Sequence, residues 1–240
     1  MGGEEKRLTM IDLARVSKTF PPDVHALADV SLRIRRGEMI FLTGQSGAGK
    51  TTLLRLLCGI DRPDKGYIEI AGHDLSRIAD ADMQRLRRRI GVAYQDFKLL
   101  PDKTVAQNIA YSMEVSYRSR QFISSRTKQL LTELGLMDKL DALTGKLSRG
   151  EQQRVSIARA VANEPELILA DEPSGNLDAE TAGLVMQLFR RCNEQGVTLL
   201  IATHDQAIYD YPGSKIIRIE NGRLAIQKPP TLAKQGEGRA

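Results

Sequence analysis

An eight-residue stretch, GQSGAGKT at residues 44–51, constrains the fold of this chain more than any other feature. It satisfies the pattern G-x-x-x-x-G-K-[ST] and lies between the apolar run Gly37–Leu42 and a helical pattern of leucines over Thr51–Gly59. Glycines let successive backbone N–H groups turn inward around phosphate oxygens, and the following helix N-terminus adds positive potential. The stretch therefore predicts a buried strand, a phosphate-binding turn and a helix, in that order.

The residue types in this turn predict a bound nucleoside triphosphate. Lys50 is placed to reach the β- and γ-phosphates, and the Thr51 hydroxyl is placed to ligate Mg²⁺. We therefore expect a nucleoside triphosphate and Mg²⁺ as ligands. The residues of this segment that we assign to nucleotide binding are Gly44, Ser46, Gly47, Ala48, Gly49, Lys50, Thr51 and Thr52.

A second buried strand supplies the acids that such a site needs. Four apolar residues, Leu167–Ala170, are followed by Asp171 and Glu172. We expect Asp171 to hold the Mg²⁺ shell and Glu172 to orient or deprotonate the attacking water. An isolated pair of carboxylates after a strand could equally be a surface turn, and the glycine-rich turn upstream favours the metal site.

Composition narrows the class of protein. The chain has 240 residues, of which 41% are hydrophobic and 27% charged, as in an ordinary globular domain. The net charge of +5 would suit nucleic acid or an anionic membrane face, whereas the absence of Trp and 5% aromatic content argue against stacking platforms for single-stranded nucleic acid. The apolar runs are much shorter than a bilayer span. Cys58 and Cys192 lack metal-ligand spacing, so we expect reduced thiols.

Strands alternate with helical patterns along the chain, which predicts a parallel sheet with helices on both faces. Short strands are expected over Met10–Ile34, broken at residues 21–23, and an amphipathic helix over Ser125–Leu136. The apolar run Val197–Ala202 is expected to complete the core.

The segment LSRGEQQR at residues 147–154 has two compatible interpretations. Ser148 and Glu151 form the pattern S-x-x-E, an ordinary capping box that opens a helix. A helix start with exposed N–H groups is also an anion site.

Taken with the other motifs, this segment resembles the signature motif of ABC ATPases. Four more features follow that family's order: an adenine-stacking aromatic, a Q-loop glutamine, a D-loop and a switch histidine. They are Phe20, Gln95, Ser174–Asp178 and His204, respectively. Singly, each has an ordinary alternative, because Phe20 could be a core residue, Asp178 a plain N-cap and His204 a polar residue at a strand end.

The resemblance implies an α/β fold of the ABC ATPase type. This is a P-loop NTPase (RecA-like) parallel sheet core with an antiparallel β subdomain and an α-helical subdomain, the latter at about residues 96–162. A single domain would cover residues 1–228, with a flexible tail at 229–240. The resemblance also implies a head-to-tail homodimer with ATP at the interface.

The same resemblance assigns roles to individual residues. The catalytic set is Glu172, His204, Lys50 and Gln95, and the metal set is Thr51, Gln95 and Asp171. The remaining nucleotide contacts, several made across the dimer interface, are Phe20, Ser148, Gly150, Glu151 and Asp178. Arg149 departs from the family, which usually has glycine there.

Within the family, the chain most resembles the ATP-binding subunits that act in bacterial cell division. The stretches that carry this likeness are Phe41–Pro63, Tyr94–Ala110, Leu169–Asp178 and Val197–Asp205. The likeness implies an integral membrane subunit docking near residues 97–117, a peripheral position on the cytoplasmic side of the plasma membrane, and an output through cell-wall hydrolases.

Two alternatives stay open from sequence. One is the ATPase of a lipoprotein-release or macrolide-type exporter. The other is a soluble ABC ATPase acting on DNA or ribosomes, with Arg85, Arg87, Arg88 and Arg89 as the contact patch. We expect no nucleic-acid partner, because neither a coiled-coil insertion nor a second cassette is visible.

Overall fold

A computed structural model of the chain describes residues 8–209 and 215–226. The predicted tail at residues 229–240 lies outside this range. The strands are β1 Thr9–Phe20, β2 Val24–Arg35, β3 Met39–Thr43, β4 Lys65–Ile70, β5 His73–Asp74, β6 Ile90–Ala93, β7 Leu167–Asp171, β8 Thr198–Ala202, β9 Lys215–Glu220 and β10 Arg223–Ile226. The helices are α1 Lys50–Leu57, α2 Asp80–Arg87, α3 Val105–Glu114, α4 Arg120–Glu133, α5 Arg149–Ala162, α6 Ala179–Glu194 and α7 Gln206–Tyr209.

A six-stranded sheet in the order β10-β9-β3-β8-β7-β6 forms the centre, and every neighbouring pair is parallel except β10 and β9. Both faces of its inner strands are buried. In β8, Leu199 and Ile201 join the apolar cluster on the side of helices α3–α6, and Leu200 and Ala202 join the cluster on the side of α1. The predicted parallel sheet with helices on both faces is confirmed. The sequence could predict it because strands that are buried on both faces are apolar throughout.

The expectation that the strand at Val197–Ala202 completes the core is wrong. Strand β9 pairs in parallel with β3, from Ile40↔Lys215 to Thr43↔Arg218. Its sequence, KIIRIE, places the exposed residues Lys215, Arg218 and Glu220 among three buried isoleucines. These charged residues interrupt the continuous apolar run that identifies a central parallel strand.

A second, antiparallel sheet in the order β2-β1-β4-β5 packs beside the first. Its two long strands have 12 residues each and join at residues 21–23, where the sequence predicts the break. They are longer than predicted. Their register shifts at several points, and Arg15 and Asp29 have positive φ. Such bulges interrupt the alternation by which a strand is recognised.

The helical region between β6 and β7 contains one helix that the sequence pattern does not indicate. Helix α3 opens with a capping box in which Thr104 accepts from the Gln107 N–H. Its buried face includes Asn108, which is fully enclosed and bonds Leu100 and Thr144, so its apolar period is broken. Helix α4 begins at Arg120 and ends at Glu133, earlier at both ends than the predicted Ser125–Leu136.

No helix of the described residues is long and apolar enough to cross a membrane. Cys58 and Cys192 are free and buried, as their spacing predicts.

Glu166 links the segments that lead into three strands of the central sheet. Its carboxylate accepts from Arg89 at 2.6 and 2.8 Å, just before β6, and from Arg36 at 2.7 Å, just before β3. The two Arg89 bonds, helped by Arg36 and opposed by partial burial, lower the pKa of Glu166 to about 2. A carboxyl with a lowered pKa stabilises the fold above its ordinary pKa, and this contribution disappears as the pH falls.

Glu166→Gln should therefore lower the free energy of unfolding by about 1 kcal/mol at neutral pH, since the carboxylate is partly exposed and screened. The difference from wild type should shrink as the pH falls from the ordinary carboxyl value of 4.5 towards about 2. Urea unfolding at several pH values measures it. Glu164→Gln is the control, because Glu164 pairs only with Arg118, at 3.3 Å, among the contacts seen in the described residues. A pH-independent difference would show that the ionic bonds do not stabilise this edge.

Candidate functional site

A cleft of about 740 Å³ lies at the carboxyl edge of the parallel strands. It brings together segments that are distant in sequence. The predicted site residues that line it are Phe20, Ser46, Gly47, Gly49, Lys50, Thr51, Thr52, Gln95, Asp171, Glu172 and His204. The carboxyl ends of parallel strands meet at one edge, which is where such sheets bind ligands.

The phosphate-binding turn requires glycine at its last position before Lys50. Gly49 has φ 110° and precedes α1, and a Cβ there would lie 2.4 Å from the Ala26 carbonyl oxygen. No side chain caps α1 and no acidic residue lies in its first turn. The first N–H groups of a helix lack internal partners, so this helix start is available to an anion.

Two residues of the turn support the cleft from behind. The Gly44 carbonyl oxygen accepts from Lys50 Nζ at 2.7 Å, and Ala48 packs against the apolar cluster under the antiparallel sheet. Neither residue lines the cleft itself. Their part is to shape the loop.

Three charged or ionisable side chains form a connected row in the cleft. Lys50 Nζ lies 3.5 Å from Glu172 Oε1, and His204 Nδ1 lies 2.9 Å from Glu172 Oε2. The Glu172 side chain is 12% exposed, whereas that of His204 is 70% exposed. The carboxylate is therefore held between an enclosed cation and an imidazole at the mouth of the cleft.

The backbone of Glu172 is in the left-handed region, with φ 49°. Its N–H donates to the Ala202 carbonyl oxygen at 2.8 Å, which extends the pairing of β7 with β8 by one residue. A side-chain-bearing residue in this conformation costs on the order of 1–3 kcal/mol and persists where the surroundings impose it. The turn directs the carboxylate towards Lys50 and His204.

Asp171 has the properties of a cation ligand. It is 6% exposed, and its Oδ1 is buried with no hydrogen-bond partner. Burial raises the pKa of the Asp171 carboxyl, against the opposing hydrogen bond from Thr51. A hard divalent cation takes oxygen ligands of this kind, so the residues present fit Mg²⁺ between Thr51 and Asp171, with Gln95 on the same cleft wall.

The signature segment lies outside the cleft of its own chain. Ser148 caps α5 and Glu151 returns the capping bond, at 3.3 and 2.8 Å, so the predicted capping box is present. The bonds to Ser148 lower the pKa of the Glu151 carboxyl. A Cβ on Gly150 would lie 3.0 Å from the Asn176 carbonyl oxygen, so α5 begins against the turn that borders the cleft.

The D-loop reaches the cleft through its earlier residues and not through Asp178, which the sequence analysis assigned to nucleotide contact. Asp178 instead caps α6, accepting from the Thr181 N–H at 2.8 Å, and Gly175 and Asn176 line the cleft. Val24, His25 and Ala26 line it too. The pairing of Phe20 with Val24 in the β1–β2 hairpin explains the position of these three residues. A hairpin assumed at residues 21–23 would have predicted them as part of the cleft.

A side groove of about 760 Å³ lies beside β6, the edge strand. Its lining includes Tyr94, Lys98, Tyr111, Ser112 and Val115. Tyr111 is 55% exposed and Val115 is 42% exposed. Because Tyr94 lines the side groove and the next residue, Gln95, lines the cleft, the two depressions meet at one peptide.

The four arginines near α2 do not form one open patch. Arg85 pairs with Asp82, Arg87 donates to the Gly59 carbonyl, Arg88 stacks on Tyr117 and Arg89 binds Glu166. Each guanidinium thus has a partner within the chain.

Comparison with known proteins agrees with this geometry. The ABC transporter family matches residues 27–175, more than half of the chain. The "Cell division ATP-binding protein FtsE" of Escherichia coli strain K12 is 44% identical over 215 residues, covering 90% of this chain and 97% of that protein. FtsE of Streptococcus pneumoniae strain D39 is 43% identical over 217 residues, covering 90% and 94%. A dimeric ATP-binding cassette, MJ0796, in a post-hydrolysis state with ADP and Pi, superposes with TM-score 0.85 at 33% identity, covering 93% of this chain and 99% of that one.

Asp171→Asn should raise the free energy of unfolding by about 1 kcal/mol in magnesium-free buffer, because it removes a buried charge whose pKa is raised. Chemical unfolding at neutral pH measures it. Asp23→Asn, in the exposed hairpin turn, removes the same charge without relieving burial and should be neutral. A less stable Asp171→Asn protein would mean that contacts with Lys50 and Thr51 already offset the burial.

Proposed function

The chain belongs to the ABC transporter family and hydrolyses ATP, and we propose that it is the ATP-binding subunit of a membrane complex that acts in cell division. The observation that carries this is the row Lys50–Glu172–His204 beside the unpaired Asp171 oxygen in one cleft. The FtsE relatives, similar over nearly their whole length, support the cellular role.

ATP binds with its phosphates in the glycine turn and its base beside Phe20 and Val24. Lys50 supplies positive charge at the β- and γ-phosphates, and the start of α1 supplies N–H donors. Thr51, Asp171 and Gln95 would hold Mg²⁺, which neutralises phosphate charge when bound.

Hydrolysis depends on the carboxylate at Glu172. An acceptor held at 2.9 Å from His204 and 12% exposed is suited to orient a water and take its proton. His204, at the mouth of the cleft, fixes that carboxylate and shields it from solvent. Lys50 stabilises the charge that develops on the γ-phosphoryl oxygens.

Two copies complete each site in a head-to-tail dimer. Ser148 and Gly150 lie outside their own cleft, and Ser148 is exposed at the start of α5. In the dimer they would face the γ-phosphate bound by the other copy, with Glu151 and Asp178 nearby. The dimeric MJ0796 cassette supports this arrangement. ATP then favours the closed dimer, and its hydrolysis removes that preference.

The side groove is the docking site for an integral membrane subunit resembling FtsX. It contains Lys98, Tyr111, Ser112 and Val115, all within residues 97–117, and it joins the cleft at Tyr94–Gln95. Its lining combines apolar and basic side chains, which suits an amphipathic cytoplasmic segment with acidic side chains. Through this partner the chain would lie on the cytoplasmic face of the plasma membrane and control cell-wall hydrolases.

Glu172→Gln should retain ATP binding, reduce turnover by at least about 100-fold, and accumulate the ATP-bound dimer, because the amide cannot take the proton. Steady-state phosphate release and size-exclusion chromatography with ATP measure this. Glu180→Gln, in the first turn of α6, is the control and should behave as wild type. Near-normal turnover by Glu172→Gln would assign the base elsewhere.

Lys50→Ala should instead weaken ATP binding itself, because the phosphates lose their enclosed cation. Equilibrium titration with ATP distinguishes this effect from that of Glu172→Gln. An unchanged affinity for ATP would contradict the proposed position of the phosphates.

Tyr111→Ala should reduce copurification of the membrane subunit by about tenfold or more, since an exposed aromatic at an interface is a typical anchor. ATP hydrolysis by the purified chain should be unchanged. Met137→Ala is the control, because Met137 is 43% exposed but does not line the side groove. Equal recovery with both variants would exclude this surface, and sequencing the recovered protein separates a cell-division partner from an exporter subunit.

A further inference from the structure

The loop that follows Gln95 is held in a costly backbone conformation. Phe97 has φ 60° and Lys98 has φ 47°, although both carry large side chains. Phe97 is 4% exposed. Residues in the left-handed region persist where neighbouring contacts impose it, so this loop depends on what holds it.

Helix α5 provides those contacts. Arg159 donates to the Phe97 carbonyl oxygen at 2.6 Å and to the Lys98 carbonyl oxygen at 2.7 Å. Ser156 donates to the same Phe97 oxygen at 3.2 Å. The loop backbone at Phe97 and Lys98 is thereby fixed to the middle of α5.

Arg149 covers the Phe97 ring from the start of the same helix. Its guanidinium carbon lies 5.6 Å from the centroid of the Phe97 ring, within the range of a cation–π interaction. Arg149 is the first residue of α5 and directly follows Ser148. Its side chain therefore links the loop next to Gln95 with the helix start that carries Ser148 and Gly150.

We propose that Arg149 is a positioning residue that locks the Gln95 loop to the beginning of α5 by stacking on Phe97. The two halves of the ATP site on one subunit, Gln95 facing its own cleft and Ser148 facing the partner copy, then move as one unit. A glycine at position 149 has no side chain with which to make this link. The inference rests on the proposed ATPase and dimer.

The link should affect turnover rather than nucleotide affinity, because Arg149 does not touch the phosphate-binding turn. Arg149→Gln, which keeps a polar, unbranched side chain but removes the cation, should lower kcat about two- to five-fold and leave KM for ATP unchanged within experimental error. Arg149→Lys should retain most of the activity, since an ammonium over the ring face also makes a cation–π interaction.

A double-mutant cycle tests whether Phe97 is the partner. Phe97→Leu keeps an apolar side chain but removes the ring, and it should lower kcat similarly. The double variant Arg149→Gln, Phe97→Leu should be no slower than either single variant, because the same contact is lost. Lys146→Gln removes an equal charge from the same end of α5 and should have no effect. Thermal unfolding of each variant checks folding, and the exposed position of Arg149 keeps its own variants informative if Phe97→Leu is unstable.

Three outcomes would each overturn the proposal. They are losses of kcat that multiply in the double variant, a wild-type kcat for Arg149→Gln, and equal losses of kcat in Arg149→Lys and Arg149→Gln. Failure of the underlying function looks different, because the wild-type chain itself would then show no ATP turnover above that of Glu172→Gln.

Discussion

The pairing of three buried strands fixes the positions on which the cleft depends. Leu42 of β3 and Asp171 of β7 both pair with Ala202 of β8, so the three strands end level. Beyond the ends, the Thr203 N–H donates to the Leu42 carbonyl oxygen at 3.0 Å and the Glu172 N–H to that of Ala202 at 2.8 Å. A slip of one residue in any strand would turn its functional side chains away from the cleft.

What the sequence predicts well is what local chemistry determines. The glycine turn, the strand that delivers Asp171 and the capping box at Ser148 each need particular residue types at fixed spacing, and all three are present. Helix α3 and strand β9 were not predicted because tertiary contacts define them: Asn108 is buried through bonds to a distant loop, and charged residues interrupt the apolar run of β9. His25 reaches the cleft through the β1–β2 hairpin, and Gly175 and Asn176 reach it through the D-loop, where the assignment from sequence had selected Asp178 instead.

The two depressions of the molecule share one short connection. Strand β6 ends at Ala93, the following Tyr94 belongs to the side groove, and Gln95 belongs to the cleft. The backbone beyond them is tied to α5 through Arg159. A change at either depression therefore has a direct mechanical route to the other, through packed and hydrogen-bonded groups rather than through a flexible linker.

The burial of both cysteines makes this chain a convenient host for chemical probes. Desolvation raises the pKa of Cys58 to about 12 and also raises that of Cys192. Both buried thiols therefore stay protonated at neutral pH, whereas the thiolate is the species that alkylating reagents attack. A cysteine introduced on the surface would therefore be labelled selectively against the native pair. Since the chain contains no tryptophan, an introduced indole would likewise be its sole such fluorophore.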